Sequence, residues 1–413
     1  MSGTSPSRVF LTVVGPFGLG YYISYLYRTV NIVISGPMAE DLSLSPSELG
    51  LLTSVYFIVF AAFQTPLGII LDRFGPRLTQ VYLLLIAVFG SVLFASSQDF
   101  VTLLIARGLI GLGVSGCLMA AIKANATWFP AERLPLINGV TVAFGSFGAL
   151  SATVPVEWLF QSLGWRPIFY LLGIASLILV IVTWWFVPHK KAVDQHNVVG
   201  WKEQIKQLAL VYGNPFFWRV SVVTFVHNAA FLAYQTLWMG PWLRDVGGLE
   251  PGPVAFTLLL FNIGMFVGVL SIGALAERLQ SLGVKPEVVL GLGIFGSICV
   301  QLFFVFEFRL GVDILCFLFG YLGSASLLCY SVLTQNFAKH LTGRVNTAMN
   351  MLTFIGAFVA QWGIGMIINQ WGVAANGNYD PQGHQVAFGL IVGCEIFAFL
   401  FFVFPRFNRA GRQ

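Results

Sequence analysis

Apolar residues run through this chain in long blocks, with polar or Gly/Pro breaks between them. A bilayer core takes about 20 apolar residues of helix. Blocks of that size recur at 9–37, 49–71, 78–97, 100–126, 134–160, 165–187, 216–241, 252–276, 286–307, 311–335, 345–369 and 385–405, which makes twelve spans. The longest hydrophilic interval runs from His189 to Pro215 and carries Lys190, Lys191, Asp194, Lys202, Glu203 and Lys206. It divides the spans six and six. The pattern predicts an all-α membrane protein of two pseudo-symmetric six-helix bundles, 1–188 and 216–413, joined by a cytoplasmic linker at 189–215. Residues Trp201 to Leu210 of that linker are expected to form a short helix on the membrane surface.

Composition sharpens this reading. Hydrophobic residues make up 57% of the chain and charged ones 9%, too few to clothe a soluble protein of this size. The start, Met1 to Arg8, is polar and short, and the apolar block after it lacks a small-residue cleavage pattern, so it is expected to stay as the first span. With the N-terminus inside, the cytoplasmic loops and tails receive most Lys and Arg, including Arg73, Arg77, Arg133, Lys190, Lys191, Arg278, Arg344 and Arg406, while the outside receives only Arg166, Arg244 and Arg309. Positive loops resist translocation, so both termini are expected in the cytoplasm, in a bacterial inner membrane or a plasma membrane. The net charge of +5 is then a topology signal that meets anionic headgroups and gives no reason to expect nucleic acid. The five cysteines, Cys117, Cys299, Cys316, Cys329 and Cys394, all lie in apolar blocks without a C-x-x-C pair, and no disulfide or metal site is indicated.

The halves repeat a device. Gly68-x-x-x-Asp72-Arg73-x-Gly75 stands between the second and third spans, and Gly273-x-x-x-Glu277-Arg278, with Gly283 after it, stands between the eighth and ninth. The first glycine is read as permitting close helix contact, the acid as facing a helix end or an Arg, and the last glycine as making a tight turn. Arg107-x-x-x-Gly111-x-Gly113 lies on the fourth span. These loop and fourth-span motifs resemble the signatures of the major facilitator superfamily, whose members work by alternating access. The antiporter run expected in the fifth span is not clearly present, since Pro155 stands apart from Gly139, Gly145 and Gly148. Tyr27-Arg28, Gln64-Thr-Pro66, Trp128-Phe-Pro130-Ala-Glu132-Arg133 and Gly164-Trp-Arg166-Pro together resemble the anion:cation symporters, more in the first half than in the second. Asp72, Arg73, Gly68, Gly75, Arg133, Glu277 and Arg278 then stand as a conformational latch, with Asp72 expected to meet a helix end or Arg133 when the cytoplasmic side closes.

Ionisable groups in the hydrocarbon zone are costly and default to function. Arg28 and Arg107 each lie about eight residues from the outer end of their spans, roughly 12 Å deep at 1.5 Å per residue. Equal depth lets both reach one anion, and a guanidinium grips a carboxylate or phosphate in a planar fork. The resemblance implies the same role for these two positions. The bland alternatives are a structural Arg107 and a snorkelling Arg28. Relatives with proton coupling carry acids where this chain has Tyr27 and Val114, so coupling through those carboxylates is not expected here. Tyr21, Tyr25, Arg28 and Asn31 form a polar-aromatic stripe on the first span. Gln235, Trp238, Asn350 and Gln361 are the second half's candidate substrate-binding residues. Asn262 and Tyr330 add polarity there, with no basic group in mid-membrane.

His227, about ten residues into the seventh span, and Glu157 in the fifth are the candidate coupling residues, with the proton as candidate coupling ion; only His titrates near neutrality by itself. Each also has a structural reading, His227 as a packed hydrogen-bonding residue. For Glu395 a structural hydrogen bond or an outward-facing position on a peripheral helix is preferred to coupling. Lys123 is expected to snorkel to the cytoplasm, and Glu307, Asp313 and Arg309 to pair among headgroups.

The leading expectation is a monomeric secondary transporter, a symporter of a small organic anion held by Arg28 and Arg107. The alternative is a carrier or exporter of a larger aromatic or chelating compound, such as a siderophore or drug, favoured by Tyr21, Tyr25, Trp238, Trp242 and Trp362. A membrane receptor or enzyme is least expected: HExxH, GxSxG and P-loop motifs are lacking, so no catalytic residue and no cofactor is assigned.

Overall fold

The computed structural model describes residues 10–130, 133–188, 201–338, 341–372 and 378–404, and the regular elements among them are helices. Ten of these, from Pro46–Gln64 to Pro381–Val403, are at least 18 residues long and apolar enough to cross a bilayer. The pair Leu136–Ser151 and Val154–Leu163, bent by 43°, makes an eleventh. The expected first span is divided into a π-helical turn Phe10–Val14 and helices Gly15–Thr29 and Asn31–Asp41, so it stands outside that count.

The breaks have local causes. The fifth span was expected to be continuous, but Thr153 leaves helical geometry at φ −104° and ψ −111°. Pro155 follows in the first turn of the next helix, where its missing N–H costs nothing; in a continuous helix it would clash with the carbonyl four residues earlier. Helical structure is unbroken from Pro46 to Ser96 except at Gly75, whose φ of 76° only glycine adopts without strain. The second span opens with a capping box: Ser45 Oγ accepts from Glu48 N–H at 3.2 Å, and Glu48 Oε2 accepts from Ser45 N–H at 2.9 Å. The linker helix runs Trp201–Tyr212; residues 189–200 of the linker lie outside the described residues.

The chain separates into two compact units, Met1–Leu44 with Val55–Val198, and Ser45–Ser54 with Val199–Gln413. In the first unit, small residues and buried amides tie the helices together. A Cβ on Gly148 would lie 2.3 Å from Tyr22 O, and one on Gly113 2.4 Å from Ala87 N, so the first span closes on the fifth and the third on the fourth only because these are glycines. Asn125 Nδ2 donates to Asn138 Oδ1 at 2.9 Å and Thr141 Oγ1 at 3.0 Å, joining fourth and fifth spans. In the second unit the eighth and tenth spans meet backbone to backbone. A Cβ on Gly264 would lie 2.1 Å from Phe317 O, and one on Gly320 2.1 Å from Phe261 O. Close contact was also expected at Gly68 and Gly273, but a Cβ at either meets no described atom within 4 Å.

Candidate functional site

In the first unit the fourth span carries Arg107 into a fully buried position. Gly111, one turn on, makes this possible: its missing side chain leaves room for Tyr56, whose carbonyl oxygen would lie 2.7 Å from a Cβ there. The Arg107 guanidinium then rests 5.0 Å from the Tyr56 ring centre, and its Nη1 donates to Tyr27 O at 2.9 Å. Its Nε and Nη2 are buried with no hydrogen-bond partner, and Arg107 has no ion-pair partner among the described residues. Arg28 is also buried, 4.5 Å from the Tyr25 ring centre and 5.4 Å from that of Phe60, and it is hydrogen-bonded to the Tyr56 side chain. Tyr56 therefore serves both guanidinium groups. Nothing in the sequence singles it out, because its place depends on the glycine opposite.

The rest of the aromatic stripe is there. Tyr21 and Tyr25 meet edge to face with ring centres 5.1 Å apart, against Gly145, and Asn31 is fully buried. The two positions that depart from the family's acids are occupied by structural bonds. Tyr27 Oη is 3.2 Å from Ser176 Oγ, and Val114 O accepts from Ser24 Oγ at 3.3 Å. Glu157 sits in the first turn of Val154–Leu163, where the helix dipole favours an acid, and accepts from Gln161 Nε2 at 3.1 Å.

The second unit holds a different set. His227 is not alone: its Nδ1 lies 3.5 Å from Glu395 Oε2, and both side chains are fully buried. Glu395 therefore faces inward, correcting the outward alternative, and its Oε2 accepts from Gln301 Nε2 at 2.7 Å, the structural bond expected of it. A second pair bridges the same two spans, His384 Nε2 at 3.0 Å from Asp245 Oδ2, with Arg244 Nε donating to Asp245 Oδ1 at 2.7 Å. Neither Asp245 nor His384 was singled out in the sequence.

Gln235 lies within a π-helical turn, Tyr234–Trp238, that continues the helix carrying His227. Its Nε2 donates to Asn262 Oδ1 at 3.1 Å. Trp238 Nε1 donates to the backbone carbonyl of Gln361 at 2.9 Å, and both amide atoms of the buried Gln361 side chain lack a hydrogen-bond partner among the described residues. Asn350 Oδ1 accepts from Tyr330 Oη at 3.3 Å.

In the loop motif, Asp72 pairs with Lys123 of the fourth span, and Arg133, a partner expected when the cytoplasmic side closes, is exposed. Arg73 is exposed with its guanidinium 5.4 Å from the Phe74 ring centre. At the corresponding place in the second unit Glu277 and Arg278 are exposed, and the brace is an amide pair, Gln280 Nε2 donating to Gln335 Oε1 at 3.1 Å. Asp313 accepts from Thr257.

The sequence model of the Major Facilitator Superfamily matches residues 17–361. The chain belongs to the major facilitator superfamily. It is 28% identical over 306 residues to a protein named as a probable sulfoacetate transporter of Cupriavidus necator, covering 69% of this chain and 70% of that one. To a hexuronate transporter of Escherichia coli it is 23% identical over 272 residues, 60% of this chain and 62% of the relative. Such relatives bear out the likeness to the anion:cation symporters. A bacterial homologue of the human lysosomal transporter Spinster shares the superfamily fold, with a TM-score of 0.74 at 19% identity over 97% of each chain. This is a multi-pass membrane transport protein of the superfamily and not an enzyme.

Proposed function

We propose that the chain is a secondary transporter of small organic anions, with Arg28 and Arg107 of the first half binding the anionic group. The observation that carries this reading is Arg107, a fully buried guanidinium with two unpartnered donor atoms and no acidic partner among the described residues. A buried unpaired charge costs several kcal/mol, and a bound carboxylate or sulfonate offsets that cost. Both relatives are named for carrying organic acids. In this reading the halves 1–188 and 216–413 alternate access to the site, both termini lie in the cytoplasm, and the membrane is a bacterial inner membrane.

The test is ligand-induced thermal stabilisation of purified full-length protein by sulfoacetate, glucuronate and uncharged glucose. Stabilisation by an acid and not by glucose is expected. Arg28→Lys or Arg107→Lys should each remove it, since losing a desolvated charge partner costs about 2–5 kcal/mol, roughly 30-fold to several thousand-fold in affinity. The double change should cost less than the two losses added, because both groups act on one anion. Unchanged stabilisation after Arg28→Ala would end the anion reading, and stabilisation by aromatic chelators alone would favour the larger-solute alternative.

A further inference from the structure

We propose that the His227–Glu395 pair is the proton site of this transporter, loaded from one side of the membrane and emptied to the other. It rests on the reading of the chain as a secondary transporter and supplies its coupling ion. The pair lies wholly within the second unit, on the seventh and twelfth spans.

Three observations lead to it. The first is the concentration of unpartnered polar atoms. His227 Nδ1 and Nε2, Glu395 Oε1, Gln301 Oε1 and Tyr234 Oη are all buried without a hydrogen-bond partner among the described residues. Native interiors leave few such atoms, and each asks for a reason. A purely structural cluster would satisfy them, whereas a site that gains and loses a proton needs acceptors with free lone pairs in at least one of its states.

The second is geometry. Gln301 donates at 2.7 Å to Oε2, the same Glu395 oxygen that faces His227 Nδ1 at 3.5 Å. That bond fixes the carboxylate and leaves the imidazole as the part that moves. Among the described residues no other charged group forms an ion pair with His227 or Glu395. The ninth span brings Gln301, the tenth brings Gly323, where a Cβ would lie 3.6 Å from His227 Nε2, and the seventh itself brings Phe231 and Tyr234. The eleventh span, packed on both, carries Arg344 near its start as its one charged residue.

The third is the backbone. Seven residues beyond His227 the helix becomes a π-helix at Tyr234–Trp238, fully buried. Such bulges mark functional sites, and a change of winding there would turn the His227 turn relative to the outer part of the span.

The proton balance is simple. With one shared proton the pair is neutral, as imidazole with carboxylic acid or as imidazolium with carboxylate. A second proton, taken from water, makes it +1, and its return to water on the other side restores neutrality. A net positive charge is costly in a dry interior, and a co-bound monoanion offsets it. One proton is thereby taken up with each monoanion.

The deciding experiment uses full-length protein labelled with 15N at histidine, studied by NMR without any solute. A pH-dependent change in the His227 ring signals is expected, and Glu395→Gln should weaken proton binding there at least tenfold. An unchanging His227 in the wild-type protein overturns the proposal whether or not any variant folds. The second arm is proteoliposomes with trapped pyranine, given sulfoacetate or glucuronate. His227→Gln and Glu395→Gln should each lower proton entry at least tenfold relative to anion entry, while exchange of labelled for unlabelled anion continues. Proton entry that stays in step with anion entry in either variant overturns the proposal. Absence of any anion exchange in wild-type vesicles counts against the anion reading alone, since the NMR titration still decides the pair.

Discussion

In the first half the fully buried charge is Arg107, a guanidinium without an acidic partner among the described residues, whereas the second half buries its ionisable groups as His–carboxylate pairs, His227 with Glu395 and His384 with Asp245. The chemistry of the two sets differs in one respect that matters for transport. A guanidinium keeps its charge at any ordinary pH, and an imidazole beside a carboxylate does not. In the proposed reading the first half holds an anion under all conditions and the second registers protons. The braces differ in the same sense: Asp72 pairs with Lys123 where the second half uses Gln280 and Gln335.

The largest effect outside the charged sites should come from glycine packing, which both halves use. Gly264→Ala or Gly320→Ala forces a methyl against a backbone oxygen 2.1 Å away and should destabilise by about 1–3 kcal/mol or more, read as thermal unfolding in detergent. Gly68→Ala and Gly273→Ala meet open space and should leave the midpoint unchanged or slightly raised. Equal losses at all four positions would break the distinction between packing glycines and motif glycines.

A smaller effect separates the braces. Asp72→Asn should cost up to about 1 kcal/mol at low salt and nothing at high salt, because the pair is half exposed. Gln280→Ala should show no salt dependence. A matching salt response would mean that the charge contributes nothing particular to the first half.

The smallest effect concerns Asp41, which the Arg166 hydrogen bond and, less strongly, Trp165 hold below the ordinary carboxylate range. A lowered folded-state value means the contribution is fully present above the unfolded value of about 3.9 and is lost as pH falls through the lower folded one. Asp41→Asn should therefore cost at most about 1 kcal/mol at neutral pH, and the difference from wild type should shrink in acid. A difference that grows in acid would reverse the assignment.

Much of the fold was legible because bilayer spans announce themselves by length and hydropathy, and because the tight turn at Gly75 is set locally. Arg28, Arg107 and His227 stood out as ionisable groups in apolar blocks. Their partners did not, since Tyr56 meets Arg107 only through the space left by Gly111, and Glu395 meets His227 only when the twelfth span lies beside the seventh. The Lys123 partner of Asp72 was hidden for the same reason, since it lies 51 residues away, two spans further along the chain. The bend of the fifth span was written in Pro155, but only the backbone at Thr153 shows where the chain yields.

The π-helical turn at Tyr234–Trp238 has a consequence for how the seventh span is inherited. A π turn closes over one residue more than an α turn, and each residue of an α-helix advances about 100° around the axis. The segment is therefore two α-helices out of phase, so that residues before Tyr234 and after Trp238 answer to different angular registers. Loss of a single residue there would restore a regular helix and keep Asp245 beside His384, whereas the same loss in an α-helical stretch of the span would swing Asp245 through about that angle.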